Sequence, residues 1–204
     1  TGKWDREKFS GVITIDGVIL WENPDIEKID RLSNDGMIAF NVIPSGESAP
    51  WSSLDIYRGT TTIRFSPLND SVSHTEVDIS SDGGRLVLAT IGKPGAVVLL
   101  FNSDGKELWR RIYPNSGVLP KVNISPSGHL ISVLHWVAGT ERRQHVFVLD
   151  EAGNTLWSTE SEKGMSKSEA AFSRDEQKVL FIGRNNIMCY DILAGKEKWK
   201  HQQM

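Results

Sequence analysis

The stretch NSDGKELWRR, residues 102–111, sets a glycine four residues ahead of a tryptophan, and it decides the fold because its skeleton returns. DEAGNTLWST at 150–159, DILAGKEKWK at 191–200 and GVILW at 17–21 repeat it, so four of the seven tryptophans obey one rule. Trp109, Trp157 and Trp199 stand 48 and 42 residues apart, and Trp21 precedes Trp109 by 88, two such periods. The copy expected between them is degraded: YRGTTTIRF has Phe65 in place of tryptophan and Gly59 two residues early.

A second marker runs in parallel. LSNDGMIAF, ISSDGGRLVL, ISPSGHLISV and FSRDEQKVLF carry Gly36, Gly83, Gly128 and Glu176 at intervals of 47, 45 and 48. Two markers sharing a period in the forties signal repeat architecture. Inside a unit the segments are short and β-like: TEVDIS, RLVLAT, AVVLLF and KELWRRI are separated by glycine-rich turns suited to hairpins. The two middle segments are continuously apolar, as strands covered on both faces must be.

Four strands per repeat of 42–48 residues predict an all-β propeller of four-stranded antiparallel blades. Full blades are expected at 28–65, 75–112, 121–158 and 168–200, with a partial blade at 11–21, all within one domain spanning 1–204. That count of four and a half leaves three resolutions open: a larger propeller from which this piece derives, a second chain completing the ring, or closure through an irregular blade. Only DIEKIDRLS, with Ile26, Ile29 and Leu32, has the spacing for a helical turn or two.

The repeat resembles the tryptophan-docking motif of PQQ-type propellers, most closely in YDILAGKEKWK, while ISPSGHL and FSRDEQKVLF are similar to a strand-opening phrase of WD40-like repeats. Ala194 stands where the PQQ-type pattern favours threonine, and Asn154 replaces its lysine. The resemblance covers nearly the whole chain and implies the fold, a seam-covering role for the tryptophans and an extracytoplasmic setting; it does not imply a function. The quinone-dependent dehydrogenases among those propellers carry eight blades and an adjacent-cysteine disulfide. This chain has one cysteine, Cys189, in the apolar run NIMCY, where a buried hydrophobe is the expectation.

Composition bounds the chemistry. The 204 residues are 39% hydrophobic and 24% charged, with 23 basic and 26 acidic side chains mixed along the chain for a net charge of −3. No electrostatic footprint for nucleic acid results. No apolar run approaches the ~20 residues of a membrane span, and TGKWDREKFSG reads as the start of a processed or excised piece. His74, His129, His135, His145 and His201 have no metal-ligand spacing, and no cofactor or metal is expected.

Alternating strands put the short DG turns at one end and the irregular connections at the other. Those connections fall at 43–51, 66–74, 113–120, 136–143 and 158–168. Variable loops on a rigid scaffold are where recognition residues concentrate. Trp51, Tyr113, Trp136, Arg142 and Arg143 supply the aromatic and guanidinium groups typical of such surfaces. The expected function is a non-catalytic module binding a protein or small ligand there, with a propeller hydrolase or lyase as the alternative. The partners expected are that ligand and either a second copy or further chain completing the ring.

Overall fold

The computed structural model describes residues 11–14, 16, 18–23, 26, 29–44, 51–65, 74–91, 95–114, 116, 118–137, 143–160, 169–183 and 186–202. They form eighteen strands in antiparallel sheets. A hairpin pairs β1 (Gly11–Ile13) with β2 (Ile19–Glu22). The first sheet holds β3 (Arg31–Leu32), β4 (Ile38–Pro44), β5 (Trp51–Arg58) and β6 (Thr61–Phe65). The second holds β7 (His74–Ile79), β8 (Arg85–Ile91), β9 (Gly95–Asn102) and β10 (Glu107–Pro114). β11 (Lys121–Ile124), β12 (Leu130–Val137), β13 (Arg143–Asp150) and β14 (Thr155–Glu160) make the third. β15 (Glu169–Phe172), β16 (Lys178–Ile182), β17 (Asn186–Asp191) and β18 (Lys196–Gln202) make the fourth.

Within each sheet, order in space follows order in sequence. The first strands β3, β7, β11 and β15 neighbour one another from sheet to sheet, so they line a common axis. Within DIEKIDRLS, Arg31–Leu32 is β3 and Ile26 is buried with Trp21 and Tyr57 between hairpin and first sheet, while residues 25, 27 and 28, where a helical turn would fall, lie outside the described residues.

The apolar middle strands are explained by two-sided burial. In β8, Leu86 and Leu88 pack on Phe40, Leu54 and Ile56 of the first sheet, while Val87 and Ala89 pack on Val122, Ile131 and Val133 of the third. A third core joins Val146 and Val148 to Val179, Phe181 and Met188 of the fourth sheet. Each such leucine, isoleucine or phenylalanine contributes about 1.5–3 kcal/mol. Cys189 is buried in β17.

A bulge precedes each of the four repeat tryptophans, and Trp21, Trp109 and Trp157 lie across a seam. In β2, β10, β14 and β18 the residue just before the tryptophan, Leu20, Leu108, Leu156 or Lys198, drops out of the register. The extra residue twists the strand locally and turns the indole toward the next sheet. Trp109 then lies against Gly153, where an added Cβ would sit 3.0 Å from the ring, and its Nε1 donates to Glu151 O at 3.0 Å. Trp157 lies against Gly195 in the same way, stacked on Tyr190, although its buried Nε1 has no acceptor. Trp21 donates to Gly36 O at 2.7 Å. In the same turns Asn102 Oδ1 accepts from Asp104 N and Lys106 N, and Asp150 Oδ1 accepts from Ala152 N and Asn154 N.

Polar bridges tie the axial strands together. Arg31 lies 3.8 Å from Asp78, Lys121 pairs with Glu76, and Asn123 Oδ1 accepts from Ala170 N. Burial pushes the Asp78 carboxyl above its usual range, against the opposing pull of the Ile124 N–H that it accepts at 3.0 Å.

Candidate functional site at the axial mouth

The turns that follow the axial strands are built by one device. Ser33, Ser80 and Ser173 each donate Oγ–H to an aspartate two residues on (Asp35, Asp82, Asp175) at 2.6 Å, and accept the N–H of Ile38, Arg85 or Lys178 at 3.0 Å. The serine hydroxyl holds all three carboxyls below the usual aspartate range. The third turn departs from the pattern, with Ser125 followed by Ser127 in the aspartate position.

The residue after the leading serine is Asn34, Ser81, Pro126 or Arg174, one per sheet. Asn34 N donates to Ser81 O, and Ser81 N to Pro126 O, both at 2.9 Å, so a chain of backbone bonds runs around the axis. It stops at Pro126, which has no N–H to give. The third-to-fourth seam is closed instead by Glu176, whose carboxylate accepts from Ser127 N and Ser127 Oγ at 2.6 Å. Glu176 holds φ +54°, the conformation that Gly36, Gly83 and Gly128 supply elsewhere.

These turns surround a cleft of about 600 Å³ lined by Asn34, Ser81, Pro126, Ser127, Arg174, Asp175 and Glu176. Asp175 and Glu176 spend oxygens on the turn and the seam. Arg174 is exposed, and among the described residues its guanidinium has no partner. Ser81 Oγ accepts from Asn34 Nδ2 at 3.0 Å, leaving its own hydrogen to donate.

At the opposite end the residues expected to bind are distributed differently. Tyr113, in β10, is buried between sheets, 5.0 Å from the His135 ring and 5.5 Å from the Phe147 ring, with its hydroxyl unbonded. Burial raises its phenol to about pKa 12. His135 meets Ser116 Oγ at 3.1 Å and has its pKa lowered to about 4 by burial, with His145 adding to the shift. Trp136 is half-buried in β12 and its carbonyl accepts from Ser116, so Tyr113 and Trp136 flank one connection. Trp51 opens β5, in the first sheet, and Arg143 opens β13; their side chains, and all of Arg142, lie outside the described residues.

Sequence reasoning passed over Asn34, Ser81, Arg174 and Glu176. The signal was present in the aligned turns, where Pro126, Ser127, Arg174 and Glu176 depart from a repeated phrase.

Four-stranded sheets packed face to face, with first strands side by side on an axis, make this chain a β-propeller. No protein-family model and no curated protein matches it. Among solved structures it is similar to hydrazine synthase of Kuenenia stuttgartiensis, at 18% identity and TM-score 0.58 over 79% of this chain and 51% of that one. It is also similar to Hsv2p of Kluyveromyces lactis (12%, TM-score 0.57, 84% and 60%) and to TolB from Acinetobacter baumannii (14%, TM-score 0.57, 88% and 44%). All three are β-propellers, and the likeness is one of fold. The chain spans about half the length of these structures.

Proposed function

We propose that this β-propeller is a non-catalytic recognition module that binds a protein or small ligand, with the axial cleft as its principal contact. The observation supporting this reading is the convergence of the turns of all four sheets on one cleft. A cleft of that size is in the range of ligand sites. Its two carboxylates are engaged in holding the turns, an arrangement suited to a rigid receptor more than to proton transfer. The end carrying Trp51, Trp136, Arg142 and Arg143 is the second reading, favoured by the buried Tyr113–His135–Phe147 ring cluster in β10, β12 and β13. An extracytoplasmic setting and completion of the ring by a longer or second chain belong to the same proposal.

The test is a ligand screen by thermal shift and calorimetry on the wild type, Ser81→Trp, which fills the cleft, and Trp136→Ala. Binding abolished by Ser81→Trp with unchanged circular dichroism supports the axial reading; loss only in Trp136→Ala moves the site to the other end. Reproducible turnover of a substrate that disappears in either variant overturns the proposal in favour of a hydrolase or lyase.

A further inference from the structure

We propose that the axial cleft recognises a carboxylate group of its ligand through Arg174; this rests on the cleft being the binding site.

Arginine is rarely left idle in this molecule. Arg31, Arg58, Arg64, Arg85, Arg110 and Arg111 each hold a carboxylate, a carbonyl or a hydroxyl. Arg64 grips Asp55 with two bonds of 2.7 Å. Among the arginines whose side chains are described, Arg174 alone has no partner, and it lines the cleft. A guanidinium offers five donors and no acceptor, and those of Arg174, exposed to water at the cleft, are free to bind an anion.

The surroundings select the kind of anion. Arg174 presents a planar fork that matches a carboxylate in two parallel bonds. Ser81 Oγ supplies a further donor on the same lining. Asp175 and Glu176 stand beside the cleft as fixed negative charges held in place by Ser173 and Ser127. Their repulsion grows with ligand charge, so a monoanionic carboxylate is tolerated where a phosphate near −2 is opposed.

The position of Arg174 is also set apart by covalent structure. Pro126 has no N–H to extend the backbone series to the fourth turn, and the strained Glu176 anchors that turn to Ser127 by its side chain. A non-glycine residue kept at positive φ marks a place where the surroundings hold strain for a purpose.

Calorimetry with two monoanionic probes tests this and separates the possible sources: propionate as a free small carboxylate, and a blocked Gly-Gly-Glu-Gly-Gly peptide as a protein-borne one. At least one binds saturably with a dissociation constant below about 10 mM, more weakly as salt is raised. Arg174→Gln weakens that binding about tenfold or more, Arg174→Lys by less, and Arg110→Gln not at all. Whichever probe binds identifies the source. Absence of saturable binding by both, indifference to Arg174→Gln, or tighter binding of inorganic phosphate overturns the proposal. A neutral ligand displaced by Ser81→Trp but not by Arg174→Gln overturns it while leaving the recognition module in place.

Discussion

Glu176 occupies a backbone conformation that three equivalent turns give to glycine. Its side chain compensates by bonding the neighbouring sheet twice. Alanine there keeps the strain and loses the bonds, whereas glycine loses the bonds and relieves the strain. Glu176→Gly is therefore expected to be more stable than Glu176→Ala by about 1 kcal/mol in urea denaturation; equal stabilities would deny that the strain exists. His135 provides a second case. The unfolded histidine takes up a proton below pH ~6.5, while the folded one refuses it until about pH 4, so the unfolded state binds more protons in that window. Stability thus falls as pH drops from about 6.5 to 4. Relative to His135→Leu, the wild type should lose up to roughly 3 kcal/mol across that range, and a constant difference from pH 7.5 to 4 would contradict it.

At the scale of the element, the repeated unit is a bulged outer strand whose tryptophan rests on the next sheet. The seat decides what the ring contributes. Trp21 is 7% exposed and bonded to Gly36 O, whereas Trp199, at the end of the series, is 48% exposed with no glycine over it. Trp21→Ala should cost about 3–5 kcal/mol and Trp199→Ala under about 1 kcal/mol, measured by chemical denaturation of the same chain. Similar costs for both would mean that the indoles contribute through their own sheet and not through the seam. The first sheet is instructive because it lacks the device: β5 and β6 pair without a bulge, and Phe65 replaces tryptophan.

Across the whole molecule, sheets differ by how many faces are covered. The second sheet is packed on both sides, and β8 and β9 are buried along nearly their full lengths. At the flanks, Ile13 and Val18 of the hairpin and Leu193 of the fourth sheet, 94% exposed, face outward, and β16 alternates buried and exposed. Amide exchange should accordingly be slowest in β8, β9 and β12 and fastest in β1, β2 and β18. Uniform protection would indicate that the flanks are covered in solution by a second copy, the arrangement proposed above for completing the ring.

The sequence by itself determined the repeat, the four-strand unit, the turn chemistry and the two-faced burial of the middle strands. These are legible because they are local: a glycine, an aspartate two residues away and an apolar run act over fewer than ten residues. Even the seam role of the tryptophans could be read, since a large ring repeated beside a hairpin needs a neighbour. Tyr113 looked like a binding residue in the chain and is a buried seam residue in the fold. The tertiary structure alone decided that Arg174, Ser81 and Asn34 meet at one cleft, because they are 47 residues or more apart in sequence. Bringing them together takes the stacking of sheets about an axis, and bulge, twist and seam geometry set where each side chain points. No short stretch of sequence contains that geometry.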